Sequence, residues 1–312
     1  MKIIFMGTPQ VAAQCLEGLL SHFPVEVAVT QPDRPRGRGL QVTPSPVKVI
    51  AEKEGIEVLQ PLKMRDQFFV ERLRQIAPDL IVVVAYGGFL TEEVLKIPPL
   101  GCVNLHSSLL PKYRGATPVQ WAVMKGETET GWTTFYLTKE MDAGDIILQR
   151  KISILPDEDA QVLFERMIPT GIQLLQETVQ NVLDKKAPRI PQDHGKASLA
   201  PKLSKSAGEI DWNIPAHIIF NQVRGLIPWP VAFTYFEWRG KRLELRIFKA
   251  RVEAHIAEEP GKVLGTDSKG FFVATADGTL WLEKVQMEGS RRMNAQEFLR
   301  GHSLPVGAKF GT

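Results

Sequence analysis

Cysteine is scarce in this 312-residue chain: Cys15 and Cys102 are the only two, each in a segment expected to be buried. Two thiols exclude a disulfide scaffold and a four-cysteine zinc site, and they suit a reducing compartment, here the cytoplasm. No apolar run approaches the roughly 18 residues of a membrane span, so no membrane partner is expected. The apolar start MKIIFMGTP is too short for a signal-peptide core and reads as a first strand. The six histidines form no ligand cluster, so no metal is expected. A Gly-rich phosphate cradle is also missing. Gly7-Thr8-Pro9 lacks the G-x-G-x-x-G spacing, and Pro9 removes a backbone donor. Net charge is only +3, with 44% hydrophobic and 23% charged residues. That composition excludes a disordered chain, a fibrous repeat and a highly charged packaging protein.

What is present suggests two domains, because the length exceeds the usual single-core range. The charge is uneven. Residues 1–183 carry 18 basic and 21 acidic side chains, whereas 184–206 carry 6 basic and 2 acidic. The stretch 184–206, DKKAPRIPQDHGKASLAPKLSKS, has no apolar periodicity and reads as a basic linker. A second basic excess at 31–51 contains Arg34, Arg36, Arg38 and Lys48 against Asp33. Two such segments beside an acidic first domain point to a polyanionic partner.

Residues 1–183 alternate strand and helix. KIIFM, VEVAVT, IEVL, DLIVVVA and GCVNLH read as strands, and the β-branched run at 79–85 reads as a central strand buried on both faces. The pattern predicts a doubly wound, mostly parallel α/β sheet of Rossmann type. Such sheets bind ligands at the carboxyl ends of their strands, which directs attention to Gly7-Thr8, Tyr86–Gly88 and Asn104–His106. From 207 to 312 the pattern becomes five or so short strands after a helix at 215–224, which fits a small OB-like β-barrel.

The reactive side chains concentrate at NLHSSLLPKYRG, residues 104–115. Asn104 and His106 alternate along one strand and therefore point the same way. Asp142 and Asp145 follow in the Gly-containing loop EMDAGDI. If Asp142 reaches His106, an amide donor, an imidazole and a carboxylate come together. That set suits stabilising an oxyanion on a carbonyl while one proton is handled. No serine or cysteine nucleophile with its own base is evident, which favours direct transfer of an acyl or one-carbon group.

HSSLLPKYRGATP, preceded by Asn104 and followed by MDAGD, closely resembles the signature of the folate-dependent formyltransferases. Further segments, among them TQPDRPRGRG, TPSPVK, PDLIVVVAYG, LSKSAGEIDWN and VRGLIPWPVAF, extend the resemblance along the whole chain to the methionyl-tRNA formyltransferase family. The resemblance implies transfer of the formyl group of 10-formyltetrahydrofolate to the α-amino group of methionine on initiator tRNA, without a metal. It implies catalytic roles for Asn104, His106 and Asp142. Folate contacts are implied for Tyr86, Gly87, Gly88, Phe89 and Leu90, and for Ser108, Leu109, Leu110 and Pro111. It also implies tRNA contacts by Arg34, Arg36 and Arg38 and by the barrel, and a monomeric enzyme. Many members carry further lysines after GRG, whereas this chain continues Leu40-Gln41-Val42. The Pro and Gly content of residues 31–44 predicts a mobile loop without stable helix or strand. Two other readings stand beside this one: a formyltransferase or 10-formyltetrahydrofolate hydrolase acting on a small molecule, and a non-catalytic RNA-binding protein.

Overall fold

The first strand, β1 (Ile3–Gly7), is buried at every position, as a central strand covered on both faces must be. The computed structural model describes residues 1–36, 41–253, 258–267, 270–302 and 304–311. Helix α1 (Gln10–Leu20) follows directly after Pro9. Gly7 permits this tight crossing, since a Cβ there would stand 2.6 Å from Ala12 Cβ and 2.9 Å from the Val84 carbonyl. Next come β2 (Val25–Val29), α2 (Pro46–Lys53), β3 (Glu57–Leu59), α3 (Gln67–Ile76), β4 (Leu80–Val84) and β5 (Cys102–His106). Ser45 caps α2 by accepting from the Lys48 N–H, and Asp66 caps α3 by accepting from Phe68 and Phe69. Strands β6 (Glu129–Tyr136) and β7 (Ile146–Ser153) complete a seven-stranded sheet in the order β7-β6-β5-β4-β1-β2-β3.

Pairing is parallel from β3 through β5 and turns antiparallel between β5 and β6. One face packs Ile4, Met6, Val27, Val29, Ile81 and Val83 against Phe69, Val70 and Leu73 of α3. Each such side chain contributes about 1.5–3 kcal/mol by leaving water. The doubly wound sheet is therefore as expected. Successive strands run outward from β1 on one side to β3 and on the other to β5, so the switch point lies between β1 and β4. There the Thr8 hydroxyl donates to the Tyr86 carbonyl at 2.9 Å.

By packing, the described residues form two compact units. One compact unit comprises Met1–Gly115, Thr130–Ile152 and Arg166–Leu199; the other comprises Ala116–Glu129, Ser153–Glu165 and Ala200–Thr312. The helix Pro118–Met124 belongs to the second unit, where Trp121 and Met124 pack on its core. The stretch 184–206 finds backbone and core partners. Ile190 and Ile146 exchange backbone hydrogen bonds at 2.8 and 3.0 Å, and Gln192 is buried. Leu203 enters the core of the second unit. The composition correctly reports a segment without periodicity. It does not report that its backbone finds partners on an existing edge.

The second unit holds an antiparallel sheet of β8 (Ala232–Trp238), β9 (Lys241–Glu253), β10 (Val263–Thr266), β11 (Phe271–Ala274) and β12 (Thr279–Met287), ordered β8-β9-β12-β11-β10. Residues 308–311 then join its two edges. Val263 donates to the Ala308 carbonyl and Phe310 to Gly261, both at 2.8 Å, while Gly311 donates to Tyr235 at 2.9 Å. This closing segment was not legible as a strand. The curled sheet otherwise matches the OB-like expectation. The helix Ala216–Gly225 turns Ile219 and Val223 inward and leaves Ile218 exposed.

Phe310 is 2% exposed, with its ring about Trp212, Phe236 and Phe271 at centroid distances of 5.8–6.0 Å. Phe310→Ala should cost about 3–5 kcal/mol in urea unfolding of the second unit, because it removes a core ring at the closure point. A second expectation concerns Glu244, a buried carboxylate that accepts from Arg246 at 2.8 Å and pairs with Lys205 at 3.1 Å. Burial pushes its pKa up, but these two cations outweigh that and hold it below the usual glutamate value. A lowered folded pKa stabilises the fold above the unfolded pKa, and that contribution is lost as pH falls through the folded one. Glu244→Gln should therefore destabilise by about 1–3 kcal/mol at neutral pH. The gap from wild type should close as the pH drops below the ordinary carboxylate range, as followed by denaturant melts across pH.

Candidate active site

The carboxyl end of β5 carries Asn104 and His106 on one face, with Val103 and Leu105 turned to the other and buried. Across the strand pair, Asn104 stands opposite Phe135 and His106 opposite Thr133. His106 is 6% exposed, and the Phe135 ring meets it edge-on at 6.4 Å. Its Nε2 lies 2.9 Å from the Tyr113 carbonyl oxygen. A carbonyl only accepts, so Nε2 carries a proton and Nδ1 is the nitrogen left to act. Nδ1 faces Asp142 Oδ2 at 3.8 Å, an ion-pair distance that is too long for a hydrogen bond. The structure thus brings Asn104, His106 and Asp142 together. The half-buried Asn104 amide makes no hydrogen bond with any described residue.

Asp142 sits in the left-handed backbone region, φ 49°. Its Oδ2 accepts from the Gly115 N–H at 2.7 Å, which aims the carboxylate. Gly144 in the same loop has no room for a side chain, because a Cβ there would collide with the Tyr136 carbonyl. Asp145 points elsewhere and lies 4.0 Å from Arg189, whose guanidinium stacks on Tyr136. Two further side chains, absent from the sequence expectations, complete this corner. Gln192 donates to the carbonyls of Asp142 and Gly144 and accepts from buried Arg114. Arg114 lies inside the YRG motif. Gln192 lies in the stretch read as linker, where no spacing rule marks it.

The expected folate contacts lie on two neighbouring loops, after β4 and after β5. The Tyr86 ring is part of the core beneath β4, and burial pushes its hydroxyl pKa up to about 12. Gly87, Gly88 and Phe89 are exposed, and Leu90 is half-buried. Gly87 has φ +84° and open space around it. In the second loop Ser108 is buried, donates to the Lys112 carbonyl at 2.6 Å and accepts from Thr133 through its own carbonyl. Leu110 is pinned from both sides by Thr133 and Gln149, whereas Leu109 and Pro111 are half-buried. Among the described residues no group of three or more His, Cys, Asp or Glu could hold a metal.

The arginine-rich segment departs from its expectation. Arg34–Arg36 and Gln41–Thr43 pair as a short antiparallel ladder, Arg34 opposite Thr43. Arg34 is exposed, while Arg38 lies outside the described residues. The root of this hairpin is clamped. Lys48 reaches Asp33 at 2.6 Å, Gln60 donates to Asp33 at 2.7 Å and to the Gln31 carbonyl, and the Thr30 and Ser45 hydroxyls meet at 2.7 Å. Hydrogen bonds from Lys48 and Gln60 hold the Asp33 pKa below its usual value, and Asp33 raises that of Lys48. Lys48, counted in the basic excess at 31–51, is paired with Asp33.

The chain matches known proteins along its whole length. Residues 1–179 match the formyl transferase family and residues 202–303 the formyl transferase C-terminal domain. The chain is 43% identical over 312 residues to a methionyl-tRNA formyltransferase of Acetivibrio thermocellus, covering 100% of both. It is 45% identical over 312 residues to that of Geotalea daltonii, covering 100% of this chain and 98% of the other. Among solved structures, the N-formyltransferase from Helicobacter canadensis in complex with folinic acid and dTDP-3-aminofucose shares the fold. It has a TM-score of 0.67 at 18% identity over 90% of this chain and 99% of that one. HypX from Aquifex aeolicus in complex with tetrahydrofolic acid gives 0.62 at 21% identity, with this chain covering 99% of itself and 50% of HypX. With full-length identity of this order and both domain families in sequence, the chain belongs to the methionyl-tRNA formyltransferase family.

Proposed function

We propose that the protein formylates methionyl initiator tRNA, with 10-formyltetrahydrofolate as donor and Asn104, His106 and Asp142 as the catalytic set. The observation that carries this is the uncommitted, half-buried Asn104 amide beside a histidine whose Nδ1 faces Asp142. In the reaction a bond forms between the methionyl nitrogen and the formyl carbon, the bond from that carbon to folate N10 breaks, and one amine proton ends on N10. Charge rises on the formyl oxygen as the amine adds. Asn104 donates a hydrogen bond to that oxygen, as does His106 when Nδ1 is protonated. Asp142 opposes the charge on the ring. The exposed backbone at Gly87-Gly88 and the half-buried Leu90, Leu109 and Pro111 suit the edge and face of a pterin.

The acceptor follows from the full-length kinship to tRNA formyltransferases. Of two solved neighbours at 17–18% identity, one is in complex with dTDP-3-aminofucose and the other is a sugar formyltransferase, but they share the fold alone, so a small-molecule acceptor is not favoured. The arginine hairpin, rooted at the carboxyl end of β2, is assigned to the tRNA together with the barrel. We place the enzyme in the cytoplasm as a monomer. No described helix is long and apolar enough to cross a membrane.

Asn104→Ala and His106→Ala should each lower kcat for charged initiator tRNA by about 100–1000-fold, with KM for the folate little changed. Asp142→Asn should also be severe. Wild-type kcat in all three would overturn the assignment, and formyl transfer to a sugar amine but not to tRNA would overturn the acceptor. For the hairpin, replacing Arg34, Arg36 and Arg38 by alanine should raise KM for the tRNA. It should also flatten the salt dependence of binding by up to about 0.7–0.9 of a log–log unit per lost phosphate contact. Parallel salt curves for mutant and wild type would return the phosphate contacts to the barrel.

A further inference from the structure

We propose that Gln192, held by Arg114, is a positioning residue that keeps Asp142 aimed at His106; this rests on the catalytic reading of Asp142. The Gln192 amide can be oriented in only one way. Its nitrogen lies 2.9 Å from the Asp142 carbonyl and 2.8 Å from the Gly144 carbonyl, which accept only. Its oxygen lies 2.7 Å from Arg114 Nη2 and 3.2 Å from Nε, which donate only. All the bonding capacity of a side chain just 6% exposed is therefore spent on this one corner.

The bonds form a closed circuit around one residue. The Arg114 side chain fixes Gln192, and Gln192 fixes the main chain of Asp142. The next peptide, Gly115 N–H, fixes the Asp142 carboxylate at 2.7 Å. A turn of this kind needs such support. A non-glycine residue in the left-handed region is sterically disfavoured, and it persists where its surroundings over-determine it. Without the two amide donors, the Asp142–Gly144 carbonyls would be left without these partners, and the turn could relax. Because the carboxylate stands 3.8 Å from Nδ1, a small rotation of the turn changes that separation by a large fraction. The effect of losing Gln192 should fall on the chemical step, because its side-chain bonds go to Arg114, Asp142 and Gly144 and to none of the expected folate or tRNA contacts.

Two variants test this. Gln192→Ala removes the whole contact. Gln192→Glu keeps the acceptor for Arg114 and the side-chain volume while deleting both donors, so it decides the matter if the alanine variant does not fold. Each should lower kcat by about 10–100-fold with KM for 10-formyltetrahydrofolate and for charged tRNA within about twofold of wild type. Combined with Asp142→Asn, either should cause less than about a further twofold loss, since its action runs through Asp142. Near wild-type kcat in Gln192→Glu beside a severe Asp142→Asn would overturn the proposal. So would a full multiplicative loss in the double variant, or a rise in KM with unchanged kcat. Wild-type kcat in Asp142→Asn itself would instead remove the catalytic reading of Asp142 on which the proposal stands.

Discussion

Strands β1 and β4 lie side by side, yet the chain leaving each turns toward opposite halves of the sheet. The carboxyl ends at this point are not crossed by a connecting helix, and a ligand can enter there. The remaining parts of the site depend on that constraint. Thr8 and Tyr86 stitch the two strand ends together. The loops after β4 and β5 then emerge as neighbours, which puts Tyr86–Leu90 beside Ser108–Pro111. One strand further on, Asn104 and His106 end β5 facing the same way, and the antiparallel β6 brings Phe135 and Thr133 against them.

Rigidity at this edge comes from paired polar groups rather than from apolar packing alone. Thr133 accepts from the Leu110 N–H, donates to the Ser108 carbonyl and meets Gln149, so the SLLP turn is fixed at several atoms. Asp142 is fixed by Gly115 and by Gln192. Asp33, Lys48 and Gln60 do the same for the arginine hairpin. In each case a buried or half-buried group would be costly if left unpaired, so the network tolerates few alternative geometries. A formyl carbon held near an amine needs that precision more than it needs a deep pocket.

The barrel shows the same economy in a different form. Its sheet curls until one edge faces the other, and residues 308–311 bond to both. Phe310 fills the centre from that segment, so closure and core packing fall to one short stretch. On the outer side Glu244 gathers Arg246 and Lys205, and its depressed pKa links that part of the barrel to pH.

The sequence by itself determined the strand-and-helix order of the first unit, because a run such as LIVVV can only be a strand buried on both faces. It also put the two proposed catalytic residues of β5 on one face. Asn104 and His106 are two apart on one strand, and period-two geometry alone makes them neighbours. Tertiary structure decided what no local pattern encodes. Gln192 lies 50 residues from Asp142, in a polar, proline-rich stretch, and only the folded edge near Ile146 brings the two together. The burial of the Tyr86 ring in the core is likewise set by the fold and not by its place in the loop. The helix at 118–124 joined the second unit because Trp121 and Met124 found their apolar surface there. Hydrogen bonds and burial between distant segments depend on where the backbone ends up, whereas periodicity depends only on the backbone's own geometry.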